Sequence, residues 1–363
     1  MTVNHTKVIS QPDEELREAP QFAGITIWAW VGAAFVVLNL WLLGSWLLGG
    51  HFHPVPTGVD PVPLWMTIVA HSIEVITLVV FAVTAYVFAY RPWRRDGYIS
   101  TDGMFVIALV TIYWQNTLSN YTTQVTFLSS AFTNFGSWYS YVPGWVSPNM
   151  DRMPEAPLAW GLCFACWFVF FPMKAGAAAT HWIRKRRPQA SAVRIFAVVW
   201  LAFMLLDFVL EGFFLRTGMY AYPGAIRSWT LWAGKTYQFP LYEVISWGLA
   251  WAVFATLYAY RDDRGLTLVE RGVERLTVSP ARKRLARFLA IAAAVNLIFL
   301  AQNALLIVIS PHADSFPTGY KSYLTNGICG PGTAFDCGGP LVPISKKTTP
   351  TNRIVSTTSG TTG

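Results

Sequence analysis

The chain has few charged residues: Asp, Glu, Lys and Arg make up 13% of its 363 residues, against roughly 25% in a typical soluble domain. It also shows no internal repeat of the kind that builds solenoids and no second, soluble domain. These absences exclude a repeat array and an ordinary soluble enzyme. Hydrophobic residues, by contrast, make up 53% of the chain, and the mean hydropathy is +0.39. This balance is typical of a protein that lies mostly in lipid.

Seven long apolar segments predict an all-α, multi-pass integral membrane protein, because about 20 residues are needed to cross the hydrocarbon core of a bilayer. The segments lie at 26–48, 64–90, 103–120, 158–182, 193–215, 238–260 and 287–310. The third is interrupted near its end by Gln115 and Asn116, and the fourth contains Pro172 and Lys174. Counts of six or eight segments remain open.

The Lys and Arg residues predict the orientation, since short cytoplasmic loops carry an excess of positive charge. The loops after segments two, four and six are basic, whereas loop 49–63 contains no Lys or Arg and loop 121–156 contains only Arg152. This pattern places the N-terminus in the cytoplasm and the C-terminus outside. The predicted parts are a polar leader (1–23), a membrane domain (24–310) with an outer loop (121–156) and a basic cytoplasmic loop (261–287), and an outward tail (311–363) that is disordered beyond about 345.

The net charge of +8 follows from these basic loops, so the expected partners are the bilayer and its anionic headgroups rather than nucleic acid. The leader is acidic at Asp13, Glu14 and Glu15, unlike a cleavable signal peptide. The first apolar segment is therefore expected to stay in the mature protein. The predicted location is the cell membrane.

The four cysteines form two pairs with different expected roles. Cys163 and Cys166 lie inside segment four, where we interpret them as small packing residues rather than as a redox or zinc pair. Cys329 and Cys337 lie in the outward tail, where an oxidising exterior would allow a disulfide.

Polar side chains inside the apolar segments are the main functional signal. A charged side chain at the bilayer centre costs about 2.5–3.5 kcal/mol, so these residues need partners, water or a function. With the predicted orientation, and a rise of about 1.5 Å per helical residue, most of them reach the outer half of the bundle. We expect five helices to bring them together at one depth. They are His71, Glu74, Asn116, Asp207, Glu211, Glu243 and Asn303.

The spacing of the carboxyl groups indicates acid/base chemistry. Asp207 and Glu211 are four residues apart and share one helix face, and in a low-dielectric site two such carboxyl groups do not both ionise cheaply. One is therefore expected to hold a proton beside an ionised neighbour. His71 and Glu74 favour a proton shuttle or a packing hydrogen bond equally. A metal site completed by His51 and His53 ranks third, and we predict neither a metal nor another cofactor.

Two features outside the helices have open interpretations. The aromatic residues of the outer loop, among them Phe132, Trp138 and Tyr139, are interpreted as an interfacial belt in preference to a lid over a pocket. The YPGA sequence near Gly218 and Gly224 is interpreted as a turn in preference to a substrate contact. The cytoplasmic 260–276 run is interpreted as an ion-paired linker without a catalytic role.

Several sequence runs resemble the AveC-type spirocyclases, a family named after a membrane protein of avermectin biosynthesis. They are WAWVGAAFVVLNLWLLGSWLLGG at 28–50, YVPGW at 141–145, GMYAYPGAIRSWTLWAGKTYQFPLYE at 218–243 and YRDDRGLTLVERGVERL at 260–276. The resemblance spans most of the predicted membrane domain. It covers neither the leader nor the Cys-containing tail.

The resemblance implies cyclisation of a lipophilic, polyketide-like dihydroxy-ketone to a spiroketal, in some members followed by dehydration. In this reaction we expect Glu211 to be the acid, Asp207 the stabilising charge or base, and Glu243, His71 and Glu74 proton relays. The predicted substrate-binding residues are Trp114, Gln115, Asn116, Asn120, Tyr220, Tyr222, Tyr237, Gln238 and Asn303.

Alternative functions from other classes remain open. The same carboxyl groups would suit a proton-coupled transporter of a lipophilic molecule, although the chain lacks the internal similarity that marks many transporters. An isoprenoid cyclase would use aromatic walls to stabilise a carbocation, but the outer polar layer has few Lys or Arg residues to bind a diphosphate. A scaffolding or sensory role is a further class, and a retinal protein is disfavoured because segment seven has no lysine for a Schiff base.

Overall fold

The computed structural model describes residues 24–121, 124–145, 149–330, 333–337 and 345–346. The predicted leader and almost all of the tail predicted to be disordered lie outside these residues. The described chain is mostly helical, as predicted. Its α-helices are α1 (Gly24–Leu48), α2 (Leu64–Ala85), α3 (Arg91–Asp96), α4 (Thr101–Val110), α5 (Phe170–Arg186), α6 (Ala192–Arg216), α7 (Leu241–Ala259), α8 (Pro280–Ile309) and α9 (Ser322–Thr325).

Within the described residues, five helical stretches are long and apolar enough to cross a membrane. These are α1, the continuous Leu64–Asp96 run that contains α2 and α3, then α6, α7 and the Pro280–His312 run that contains α8. The predicted number of seven is therefore not confirmed, and the orientation stays a prediction. The difference comes from the predicted segments three and four, which are broken.

Segment four is broken by its sequence. A π-helical turn, Pro157–Gly161, precedes irregular backbone, and a regular α-helix begins only at Phe170. Pro172 explains this start, because proline has no N–H and its ring clashes with the carbonyl four residues earlier, but both features are tolerated in a first helical turn. The α-helix that follows is only 17 residues long.

Segment three changes from α4 to a 3-10 helix at Tyr113–Asn120, and a buried asparagine of α8 binds the junction. The side-chain amide of Asn296 donates to Thr111 Oγ1 at 2.9 Å and accepts from Gln115 Nε2 at 2.8 Å. Irregular backbone is tolerated away from water when it is buried in protein and its polar groups are satisfied. Both broken segments accordingly lie in the protein core, while the long helices leave many apolar side chains exposed.

The outer loop folds back onto the bundle. Its strand β1 (Phe127–Leu128) pairs antiparallel with β2 (Tyr220–Ala221), with Phe127 opposite Ala221. Phe132, Trp138 and Tyr139 are buried. The interpretation of these aromatic residues as an interfacial belt is therefore wrong, because their rings pack inside the protein. Two further antiparallel pairs join β3 (Thr230–Leu231) to β4 (Phe239–Pro240) and β5 (Phe335–Asp336) to β6 (Ser345–Lys346).

The tail lies over the outer loop. Asn326 Nδ2 donates to Leu128 O at 3.0 Å, and Asn149 Nδ2 donates to Ile328 O at 2.9 Å. Cys329 and Cys337 form the disulfide for which the sequence allowed. The tail thus helps to hold the outer loop in place. The other two cysteines, Cys163 and Cys166, form no disulfide and are buried, as expected of packing residues.

Ion pairs link the helices and loops at the opposite end of the bundle, where the basic loops lie. Lys174 Nζ lies 2.5 Å from Asp102 Oδ2, and Asp102 Oδ1 accepts from Tyr258 Oη at 2.7 Å. Glu270 is fully buried and pairs with Arg287 at 2.7 Å. These contacts fit the interpretation of the 260–276 run as an ion-paired linker.

Candidate active site

A buried cavity lies where α6 ends and α7 begins, at the end of the bundle away from the basic loops. The outer loop and the last turns of α8 complete its walls. The described residues that line it are Asn116, Ser119, Asn120, Thr126, Leu128, Tyr139, Met153, Glu155, Trp160, Phe164, Phe168, Glu211, Phe214, Tyr220, Tyr222, Glu243, Trp247, Phe299, Gln302, Asn303 and Leu306.

Two carboxyl groups enter this cavity from neighbouring helices. Glu211 lies near the C-terminal end of α6 and Glu243 in the first turn of α7, so the antiparallel packing of these helices brings both to one level. A helix N-terminus favours negative charge, which suits Glu243. Asp207, one turn before Glu211 on the same face, is fully buried but is not among the residues lining the cavity.

These three buried carboxyl groups make few hydrogen bonds with the described residues. Tyr222 Oη donates to Glu211 Oε1 at 2.8 Å. The second oxygen of Glu211 and both oxygens of Asp207 and Glu243 have no hydrogen-bond partner within the described part of the chain. Buried polar groups are nearly always hydrogen-bonded in folded proteins, so this arrangement is typical of a site that receives a polar ligand.

The segment between α6 and α7 positions the two tyrosines beside Glu211. Gly218 adopts a left-handed φ of 63°, and the strand pair β1–β2 follows. Gln238 is buried and its Nε2 donates to Tyr222 O at 2.7 Å. The chain turns at Thr217 and Gly218, and YPGA (222–225) bends at Gly224. Tyr220 and Tyr222, the first residue of YPGA, line the cavity, and the interpretation of YPGA as a turn stays a prediction.

A further carboxyl group, Glu155 of the outer loop, lines another wall and was missed by the sequence analysis. Glu155 is fully buried, and its Oε2 accepts from Asn116 Nδ2 at 3.0 Å. Its Oε1 finds no hydrogen-bond partner among the described residues. Burial raises the pKa of Glu155 to about 8, although Asn116 and the nearby phenols of Tyr113 and Tyr139 oppose the shift. Tyr139 Oη accepts from Asn120 Nδ2 at 3.1 Å.

The remaining walls are mostly aromatic. Trp160 packs edge-on against Phe214 with ring centroids 5.1 Å apart, and Trp247 lies 5.5 Å from Phe299. Such rings offer an apolar surface and a negative π face toward a cation. The cavity therefore combines carboxyl groups, phenols and amides with walls suited to an uncharged organic molecule.

The predicted substrate-binding residues divide into two groups. Asn116, Asn120, Tyr220, Tyr222 and Asn303 line the cavity. The other predicted residues do not, and their contacts indicate structural roles.

The four other residues contact neighbouring parts of the protein instead. Trp114 and Gln115 donate to Asn296 and so join the broken segment three to α8. Tyr237 packs against Arg216, whose guanidinium carbon lies 4.0 Å from the ring centroid. Gln238 supports the Tyr222 backbone, as described above.

His71 and Glu74 lie away from the cavity. Glu74 accepts from the Thr133 backbone N–H at 2.6 Å and from its hydroxyl at 3.0 Å, so it ties α2 to the outer loop. His71 Nδ1 lies 2.7 Å from Glu74, and its side chain is half exposed. Of the two roles that the sequence favoured equally, this geometry matches the packing hydrogen bond.

No group of three His, Cys, Asp or Glu side chains within the described residues is placed to hold a metal ion. His51, considered as a ligand, instead lies 3.5 Å from Asp151. The side chain of His53 is exposed in the same loop.

Comparison with known proteins identifies a family for this chain. The family model described as spirocyclase AveC-like matches residues 93–322, well over half of the chain, and this range contains all the cavity-lining residues. The 28–50 run, on which the resemblance also rested, lies outside the matched range. No curated protein and no solved structure matches the chain.

Proposed function

The chain belongs to the spirocyclase AveC-like family, and we propose that it cyclises a lipophilic, polyketide-like dihydroxy-ketone to a spiroketal within the cell membrane. Family membership supports a spirocyclase-like role in general. The observation that carries the proposal is the buried cavity between aromatic walls, in which Glu211 and Glu243 have carboxyl oxygens that no described residue binds.

The chemistry of spiroketal formation fits such a cavity. One hydroxyl adds to the keto carbon, the resulting hemiketal loses its hydroxyl as water, and the second hydroxyl attacks the oxocarbenium ion that is left. The reaction needs proton transfer at each oxygen and negative charge near the cation. The carboxyl groups meet both needs, and the aromatic faces of Trp160 and Trp247 add favourable electrostatics.

The size of the cavity suggests how a large substrate is held. The cavity has a volume of about 90 Å³. This is enough for several water molecules or for a reacting carbon with its oxygens. A larger groove of about 940 Å³ is lined mainly by apolar side chains of α6, α7 and α8, and Gln302 lines both the groove and the cavity. The apolar remainder of the substrate occupies this groove, which favours a molecule that is dissolved in the bilayer.

Asp207 has an indirect role in this proposal. It lies one turn before Glu211 on the same face of α6 but does not line the cavity, so it modulates the charge of Glu211 rather than contacting the substrate. Direct proton transfer is carried by groups that line the cavity, and His71 and Glu74 are left out of the relay.

The proposal is tested by comparing lipophilic extracts of host cells that carry the intact chain, an Asp207→Asn/Glu211→Gln double variant, or no chain. A metabolite should accumulate without the active chain, and its product should differ from it by one water, or by two if dehydration follows. A Glu274→Gln variant is the matched control, because it removes an exposed carboxyl group at the opposite end of the bundle. It should behave as the intact chain.

Identical extracts from all four strains, with each protein folded in the membrane, would contradict the proposal. Flux of protons or substrate through sealed vesicles, without chemical conversion, would favour the transporter instead.

A further inference from the structure

We propose that Glu155 is the proton donor to the departing oxygen, acting from the wall of the cavity that is formed by the outer loop, while Glu211 and Glu243 accept protons from the two attacking hydroxyls. This inference rests on the proposed function. It moves the acid role, which the sequence analysis gave to Glu211, to a residue outside the long helices.

The geometry provides two separate sets of carboxyl groups. Glu155 belongs to the outer loop and is held by Asn116. Glu211 and Glu243 belong to α6 and α7, and Glu211 is held by Tyr222. All three line one cavity, and each has at least one oxygen that no described residue binds. A substrate between the sets would therefore meet a carboxyl group from each.

The proton count of the reaction matches this division. In the first ring closure a C–O bond forms, the carbonyl π bond breaks, the keto oxygen gains one proton and the attacking hydroxyl loses one. In the second, that same oxygen gains another proton and leaves as water, while the second hydroxyl forms a C–O bond and loses its proton. One oxygen thus receives two protons, and two oxygens each give up one. No oxidant or reductant is needed, and the protons return from the accepting carboxyl groups to Glu155.

The surroundings of Glu155 support its role as an acid. The buried phenols of Tyr113 and Tyr139 lie beside Glu155. Burial raises the pKa of Tyr139 well above the usual range, so this phenol stays protonated. The basic residue nearest in sequence, Arg152, donates to Asn326 O in the tail. The other titratable groups around Glu155 and its cavity are Cys163, Glu211, Tyr220, Tyr222 and Glu243.

The pH dependence follows from the pKa of Glu155, which burial raises to about 8. The group is protonated at pH 7 and loses its proton as the pH rises through about 8. A proton donor with this pKa predicts a turnover that falls above about pH 8. A proton acceptor would predict the opposite slope.

The test uses purified full-length protein in lipid nanodiscs and a symmetric dihydroxy-ketone probe, whose keto carbon is separated from each terminal hydroxyl by a short methylene chain. Glu155→Gln should lower kcat about a hundredfold and remove the fall above about pH 8. Glu155→Asp should keep that fall at a reduced rate. Asp151→Asn is the matched control, because Asp151 belongs to the same loop but pairs with His51 outside the cavity, and it should leave the profile unchanged.

Infrared spectroscopy gives a readout that does not depend on turnover. At pH 7 the intact protein should show a protonated-carboxyl band that disappears above about pH 8 and is missing in Glu155→Gln. If Glu155→Gln keeps the intact kcat and pH profile while Glu211→Gln is inactive, the inference is wrong and the proposed function stands. If the band is absent from the intact protein, the inference is also wrong. If the intact protein converts no probe, the proposed function fails and the inference fails with it.

Discussion

Replacing Glu211 by Gln is expected to lower kcat for the dihydroxy-ketone probe about a thousandfold, within the range lost when an acid/base group is removed. The amide keeps the size of the side chain and still accepts from Tyr222, but it neither takes a proton nor stabilises an oxocarbenium ion by charge. The amide is neutral and therefore costs less to bury than a charged group, so the variant should fold. Single-turnover kinetics in nanodiscs would separate this loss from a change in substrate binding.

Two further variants test whether the loss of kcat comes from the Glu211 carboxyl group. Tyr222→Phe removes only the phenol that donates to Glu211 at 2.8 Å and should cost about tenfold, the order expected for one hydrogen bond to a charged group. Asp207→Asn should have a smaller effect than Glu211→Gln, since Asp207 lies outside the cavity lining. If Glu211→Gln and Asp207→Asn both retained the intact kcat, the assignment of the chemistry to this carboxyl set would be wrong.

Replacing Gly32 by Ala is expected to destabilise the helix bundle as a whole. A Cβ atom at this position would lie 1.8 Å from the Leu289 carbonyl oxygen and 3.1 Å from the Ala293 nitrogen. Both atoms are backbone of α8, so α1 and α8 would have to separate. Small residues let membrane helices approach closely, and overpacking costs about 1–3 kcal/mol. We expect the melting temperature in detergent to fall by about 5 °C.

The control for this prediction lies in the same helix. A Cβ atom at Gly44 would meet no atom within 4 Å, so Gly44→Ala should be neutral or slightly stabilising, because Ala favours a helix over Gly. Equal melting temperatures for the two variants would contradict the close approach of α1 and α8.

Part of the site could be predicted from the sequence because helix direction and spacing fix where a residue lies along a bundle. Glu211, Glu243 and Asn303 fall near the ends of three long helices that point to the same level, and the structure brings them into one cavity. Asn116 and Asn120 reach it as well, although their segment is a 3-10 helix rather than the continuous span that was predicted. A change from α-helix to 3-10 helix over a few residues therefore leaves these side chains at about the predicted depth in the bundle.

The rest depended on contacts that the sequence does not reveal. Glu74 has the same signal as Glu211, a carboxyl group in an apolar helix, but the backbone N–H of Thr133 satisfies it. Glu155 could not be predicted from a polar side chain in an apolar segment, because it lies on a loop that folds back into the bundle. Its one local signal is a single acidic residue between Pro154 and Pro157 in an otherwise apolar stretch.

The predicted number of seven spans is not confirmed for a related reason. Hydropathy measures whether a stretch is apolar, and segments three and four are apolar because they are buried in the protein core rather than exposed to lipid. Pro172 and the Asn296 contacts break them into shorter pieces. A hydropathy profile does not distinguish such a segment from a continuous membrane-spanning helix.

The most direct test of the central assignment is the optical purity of the spiroketal that purified protein forms from the symmetric dihydroxy-ketone at neutral pH. The probe is achiral and its spiroketal is chiral, so uncatalysed closure gives a racemate. Closure inside the cavity that contains Glu211, Glu243 and Glu155 predicts an excess of one enantiomer, and the Glu211→Gln variant should abolish that excess. A racemic product formed at the uncatalysed rate by the intact, folded protein would contradict the assignment of this chain as a spirocyclase.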